Sequence, residues 1–143
     1  MCGIAGFVNF KQDISDYRNV LVNMNDSLLK RGPDEDGYYI ESNVALAHKR
    51  LIVIDPNGGK QPMSTFDSNF SIVYNGQIYN TKELRYTLEK NGFSFDGHSD
   101  TEVLLKSYIF YGKDVVNYLN GIFSFAIWDN IKKELFIARD HFG

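Results

Sequence analysis

The chain alternates short apolar runs with three stretches of helical spacing and closes on a hairpin pattern. Residues 4–10 (IAGFVNF) are short, apolar and aromatic, which predicts a strand. Tyr17, Val20, Leu21, Met24 and Leu28 then recur at helical spacing. Asp13, Ser15 and Asp16 offer N-caps ahead of them and Gly32-Pro33 stops the run, so a helix is predicted over 16–30. Residues 37–41 and 44–54 read as two strands joined at the turn-prone Ser42-Asn43, with the largely β-branched Leu51-Ile52-Val53-Ile54 buried. Residues 55–65 (DPNGGKQPMST) are dense in Pro, Gly and Asn and read as a loop. Phe70 to Tyr74 predicts a strand that ends at Asn75-Gly76. Asn80 with Glu83 three residues on resembles a capping box, Leu84 and Leu88 mark the buried face of the helix that follows, and Gly92 ends it. Ser99 with Glu102 repeats the start signal before an apolar run from Val103 to Tyr111 that stops at Gly112. Ile122–Trp128 and Leu135–Ala138 form a hairpin pattern across residues 129–133. Strands cluster instead of alternating strictly with helices, which predicts an α+β fold over a parallel α/β sheet.

Composition narrows the possibilities. A chain of 143 residues with 43% hydrophobic and 15% aromatic residues is one domain with a real core, too apolar for disorder. Fifteen Lys and Arg against 18 Asp and Glu leave a net charge of −3, which offers no electrostatic footprint for nucleic acid and no polybasic patch for a membrane. No apolar run approaches the roughly 18–20 residues of a bilayer span. The start, Met1-Cys2-Gly3-Ile4, matches neither a secretory signal nor a Met-Gly myristoylation site. A cytoplasmic location follows as the expectation, and the Asn-x-Ser matches at Asn25 and Asn69 carry no weight without a secretory route. The closing Ala138-Arg139-Asp140-His141-Phe142-Gly143 reads as the middle of a motif, so the chain is expected to be cut from something longer.

Cys2 is the one cysteine, which excludes an intrachain disulfide and a Cys-based zinc cluster. Removal of Met1 ahead of a small residue would leave Cys2 with a thiol and an α-amine on adjacent carbons. A free α-amine titrates at about 7.7–8.0, well placed for a general base, and an N-terminal nucleophile activated by its own amine is a known arrangement. The competing reading is a chance cysteine near a terminus. Asn75-Gly76, taken alone, reads as a β-turn. Its alternative is an oxyanion hole, since the Asn amide and the Gly N–H are both good donors. Arg50 is either a salt-bridged arginine or a clamp on a carboxylate. Asp100 is either a helix cap or a holder of an ammonium group. His48, His98 and His141 lack ligand spacing, so no metal site is expected. Gly58-Gly59-Lys60 lacks the earlier Gly and the following Ser or Thr of a P-loop.

Several segments together resemble the glutaminase domain of class II glutamine amidotransferases, and within them the glutamine-hydrolysing asparagine synthetases. They are Met1-Cys2-Gly3-Ile4-Ala5-Gly6, Arg31-Gly32-Pro33-Asp34, Leu46-Ala47-His48-Lys49-Arg50-Leu51 and Gln61-Pro62-Met63. Tyr74 to Asn80 (YNGQIYN), Ser99 to Glu102 (SDTE), Leu119 to Asp129 and Ala138-Arg139-Asp140 follow in family order. Each is weak alone; the ordered set is specific and covers nearly the whole chain.

The resemblance implies an N-terminal-nucleophile (Ntn) hydrolase fold, a four-layer α/β/β/α sandwich of two stacked antiparallel sheets, here incomplete at its C-terminus. It implies Cys2 as the nucleophile, Asn75 and Gly76 as the oxyanion hole, and Arg50 as partner of the substrate carboxylate. Leu51, Ile52, Val53 and Ile54 would line the pocket, and Asp100 would hold the substrate ammonium. The substrate implied is L-glutamine and the partner a C-terminal synthetase domain, with a homodimer left open. ATP and Mg would serve that absent domain, and no cofactor is implied for this one. Gln77 stands where the family usually has Glu. Losing that charge-assisted bond to the substrate ammonium would cost on the order of 1–2 kcal/mol. Two other readings stay open: an amidotransferase for another acceptor, such as a sugar acid or a β-lactam precursor, and a non-catalytic glutamine-binding module.

Overall fold

Two antiparallel sheets stack face to face in the computed structural model, which describes residues 2–52 and 59–142. The first holds β1 (Gly3–Val8), β2 (Glu35–Ile40) and β3 (Val44–Arg50) in the order β1-β3-β2. The second holds β4 (Met63–Ser64), β5 (Phe70–Ile78), β6 (Gly121–Asp129) and β7 (Glu134–Arg139) in sequential order. Helix α1 (Arg18–Asp26) joins β1 to β2. Helices α2 (Thr81–Lys90) and α3 (Asp100–Tyr111), with a 3-10 turn over Gly112–Asn117, connect β5 to β6.

Alternation along the strands sorts side chains into three cores. All seven residues of β3 are buried. Its Ala45 and Ala47 face α1, packing with Ile14 and Leu21. Val44 and Leu46 point the other way and meet Val73 of β5 and Ala126 and Trp128 of β6. On the far face of the second sheet, Ile72, Tyr74, Phe125 and Ile127 pack against Leu84 and Leu88 of α2 and Val103 and Leu104 of α3. The result is the four-layer sandwich that the resemblance implies.

The same alternation positions the site. Ile4 and Val8 of β1 belong to the layer between the sheets, while Ala5 and Phe7 face α1. Cys2 shares its parity with Ile4, and Asn75 shares its parity with Val73, so both belong to the seam between the sheets.

Four details differ from the sequence pattern. The predicted helix over 16–30 is regular only over Arg18–Asp26. Asp13 does not cap it but accepts from the Ser15 N–H and hydroxyl at 2.8 and 2.6 Å, and past Asp26 the chain tightens into three-residue bonds such as Arg31 N–H to Leu28 O. Asn80 stands at the N-cap of α2 without capping it. Its amide donates to Tyr118 O (2.8 Å) and its Oδ1 accepts from Asn120 N–H (3.0 Å), tying α2 to the loop before β6. The predicted strand 44–54 ends at Arg50: β1 begins at Gly3 and β2 at Glu35, and among the described residues no partner strand runs further, while Val53 and Ile54 lie outside them. Finally, Asn75-Gly76 is not a turn. Both residues lie inside β5, opposite Ser124 and Phe123 of β6. Gly76 is required there for a different reason: a Cβ would sit 2.2 Å from Ile122 O, and φ is +156°. The Ser99 cap is as expected, with its hydroxyl accepting from Glu102 N–H at 3.3 Å.

Candidate active site

Cys2 sits just ahead of β1, beside the end of β3. The Leu51 N–H donates to Sγ at 3.4 Å, and the thiol points at Leu51 O at 3.7 Å. A cavity of about 380 Å³ opens next to it, lined by Cys2, Ile4, Asn75, Gly76, Ser124 and Asp140 among others. That volume is within the usual range for a small-molecule site.

The register of β5 decides what Asn75-Gly76 offers this cavity. In an antiparallel pair, neighbouring residues alternate between bonding the partner strand and turning away from it. The Tyr74 N–H turns away from β6, because it donates to Gln61 Oε1 at 2.5 Å. Two residues on, the Gly76 N–H takes the same direction, off the β6 ladder. Opposite it, the Phe123 N–H and C=O face Asp140 instead of β5, at 2.9 Å each. Gly76 therefore presents a backbone donor, next to the Asn75 side chain, at the cavity wall.

The Arg31-Gly32-Pro33-Asp34 segment ties Cys2 to the end of β3. Arg31 Nε donates to Cys2 O (3.1 Å), Asp34 N–H to Arg50 O (3.0 Å), and Ile52 N–H to Asp34 Oδ2 (2.8 Å). Gly32 is buried so tightly on β3 that a Cβ would lie 2.4 Å from Lys49 O. One tight loop thus connects the cysteine, the end of β3 and the residues beyond it.

The remaining site candidates surround this cluster at different depths. Arg50 is buried at the end of β3, and its Nη1 donates to Glu35 Oε2 at 2.7 Å. That bond holds the Glu35 carboxyl below its ordinary range, despite some desolvation, with Lys60 assisting at 3.6 Å. Asp100 Oδ2 accepts from the Tyr74 hydroxyl (2.7 Å) and the Ile78 N–H (3.4 Å). Leu51 touches the sulfur, and Ile52 is exposed. Gln77 is exposed on β5 and, like Arg50 and Asp100, is not part of the described lining of the cavity. Val53 and Ile54 lie outside the described residues.

The residue-by-residue reading missed His48, Gln61 and Asp140. His48 is fully enclosed, and its Nε2–H donates to Tyr74 O at 3.1 Å. Burial pushes its pKa down to about 4, so the ring is neutral at physiological pH. Gln61 takes the Tyr74 N–H on Oε1 and donates through Nε2 to Thr101 Oγ1 at 3.3 Å. All three lie within segments that carried the family resemblance, which was the one signal available for them. Among the described residues, no group of three or more His, Cys, Asp or Glu is placed to hold a metal ion. No helix among them is long and apolar enough to cross a membrane.

A nucleophile candidate at the head of an edge strand, facing an Asn-Gly pair across the seam of an α/β/β/α sandwich, defines a class. A glutamine amidotransferase domain model matches residues 1–143, and the chain belongs to that family. Asparagine synthetase [glutamine-hydrolyzing] 3 of Bacillus subtilis (strain 168) is 48% identical over the whole chain, and asparagine synthetase B [glutamine-hydrolyzing] of Escherichia coli (strain K12) is 36% identical. The chain corresponds to the N-terminal domain of such synthetases and spans 24% and 26% of the length of these two. Among solved structures, glutamine phosphoribosylpyrophosphate amidotransferase from B. subtilis, complexed with ADP and GMP, superposes with a TM-score of 0.57 at 23% identity. It covers 71% of this chain and 24% of that one, a likeness of fold.

Proposed function

We propose that this domain hydrolyses the side-chain amide of L-glutamine through a thioester on Cys2, and that the ammonia serves ATP-dependent asparagine synthesis from aspartate in the intact protein. The observation that carries this reading is the meeting of Cys2, Asn75 and Gly76 around one cavity at the sheet seam. With Met1 removed, the α-amine of Cys2 takes the thiol proton, and Sγ attacks the carboxamide carbon. The negative charge that develops on the amide oxygen is met by the Asn75 side-chain amide and the Gly76 N–H, two donors that β5 carries side by side. Collapse of the intermediate breaks the C–N bond, and the nitrogen leaves as ammonia with the proton held by the amine. Water then attacks the thioester, glutamate departs, and the thiol is restored.

Arg50 is assigned the α-carboxylate, with Glu35 orienting its guanidinium, and Asp100 the α-ammonium. Leu51 and Ile52, with Val53 and Ile54, belong to the proposed pocket wall. The neutral Gln77 contributes no charge there. Activation of aspartate calls for ATP and Mg, which these residues are not proposed to hold. The acceptor of the ammonia rests on the synthetase relatives.

The test is Cys2→Ala in the intact protein, on material whose mass shows Met1 removed. Glutamate release from glutamine is expected to fall by at least about a thousandfold, as for loss of a catalytic nucleophile. Asparagine formation from added ammonium should continue. Unchanged glutamine hydrolysis overturns the assignment.

A further inference from the structure

Tyr74 carries three polar groups, and each is engaged by a different part of the fold. Its N–H donates to Gln61 Oε1 (2.5 Å), its carbonyl accepts from His48 Nε2–H (3.1 Å), and its hydroxyl donates to Asp100 Oδ2 (2.7 Å). The first two bonds follow from the sheet. The two-residue β4 pairs with Ser71 and Ile72, so among the described residues the edge of β5 has no strand neighbour at Tyr74. Buried backbone groups need partners, and the Gln61 and His48 side chains take the place of the missing strand. The third bond is not demanded by the backbone. It joins the core face of β5 to the first residue of α3.

We infer that Tyr74 is a positioning residue for glutamine recognition, its hydroxyl holding the Asp100 carboxylate in the orientation that receives the substrate ammonium. This rests on the role proposed above for Asp100. Both bonds to Asp100, from the Tyr74 hydroxyl and the Ile78 N–H, fall on Oδ2, which leaves Oδ1 to a ligand. Tyr74 also directly precedes Asn75, so one residue sets the spacing between the ammonium site and the oxyanion donors. Gln61 reinforces that spacing by bridging the Tyr74 N–H and Thr101, the neighbour of Asp100. Burial, then the Asp100 charge, raise the Tyr74 pKa, so the hydroxyl stays protonated and stays a donor.

Tyr74→Phe removes one oxygen and keeps the ring in its core. In the intact protein, the KM for glutamine is expected to rise roughly five- to tenfold, the effect of losing one hydrogen bond to a charged group, with kcat within about twofold. The decisive companion is 4-carbamoylbutanoate, which is glutamine without its amino group. Its kcat/KM should be the same in Tyr74→Phe and wild-type protein, because it has no ammonium to place. Equal losses for both substrates, an unchanged KM for glutamine, or a protein that no longer folds by thermal melting would each overturn the inference. Failure of the underlying reading looks different: wild-type protein releases no glutamate, or Cys2→Ala still does, and the inference falls with it.

Discussion

The two helix–sheet pairs of the sandwich are built on opposite plans. Between α1 and the first sheet the buried core is small, Ile14, Leu21 and two alanines of β3, with Ala5, Phe7, Tyr38 and Ile40 packed partly buried against it. That layer also encloses polar groups. Asn25 of α1 is fully enclosed, and Lys49 of β3 is 4% exposed, paired with Asp36 at 2.6 Å and Asp26 at 3.3 Å. Those two carboxylates, Asp36 first, raise the Lys49 pKa against a smaller desolvation penalty. Between the second sheet and α2 and α3 the core is broad and aromatic, with Phe125 and Tyr108 both packed on Phe136. Apolar area removed from water is what stabilises most, at about 25 cal/mol per Å². The second pair therefore carries most of the stability, while the nucleophile candidate rides on the thinly packed first pair. The candidate site groups Cys2, Asn75 and Gly76 line one cavity at the seam between the two pairs.

The largest expected effect tests that asymmetry directly. Phe125→Ala in the aromatic core should cost about 3–5 kcal/mol, whereas Ala47→Gly on the α1 side should cost about 1 kcal/mol. Urea midpoints at constant slope would measure both, and equal losses would erase the contrast. Next comes the seam itself. Free histidine titrates near 6.5, and His48 is held at about 4 by burial. Between those values the unfolded chain binds a proton that the folded chain does not, so stability is full above pH 6.5 and falls as the pH drops toward 4. The loss should reach roughly 2–3 kcal/mol, and His48→Gln, which keeps a donor for Tyr74 O, should flatten the pH dependence of the urea midpoint. A profile unaltered by the substitution would assign the acid sensitivity elsewhere. The smallest effect is at the rim. Gln77 is exposed, so restoring a charge with Gln77→Glu works through solvent. The KM for glutamine should fall by less than about fivefold; an unmoved KM would separate Gln77 from the substrate.

Much of the fold was legible in the sequence because its elements have local causes. Ser99 caps α3 through a bond three residues long, and the 129–133 turn closes the β6–β7 hairpin between adjacent segments. Misreadings arose where a distant partner outbid a local signal. Asn-Gly usually reverses a chain, but nine paired residues of β6 keep it extended. Asn80 had the right spacing for a capping box, yet residues 118–120 claim its side chain. The Cys2 candidate was visible from position and chemistry alone. Asn75 and Arg50 had bland local readings, and only the ordered set of segments raised them above those. Tyr74 and Gln61 passed as a strand residue and a loop residue, since their bonds join residues 13, 26 and 40 positions apart.

By itself, the sequence determined the alternation of apolar and polar positions, hence which face of each strand is buried, and the presence of a single thiol, Cys2. Those are properties of neighbours along the chain. The tertiary structure alone decided that the faces carrying Cys2 and Asn75 share one layer, and that Gly76 turns its N–H away from β6. It also decided that Arg50 pairs with Glu35 and that one tyrosine links β3, β5 and α3. Such choices depend on sheet register and on which buried donor finds which acceptor, and both are settled only when the sheets close on each other.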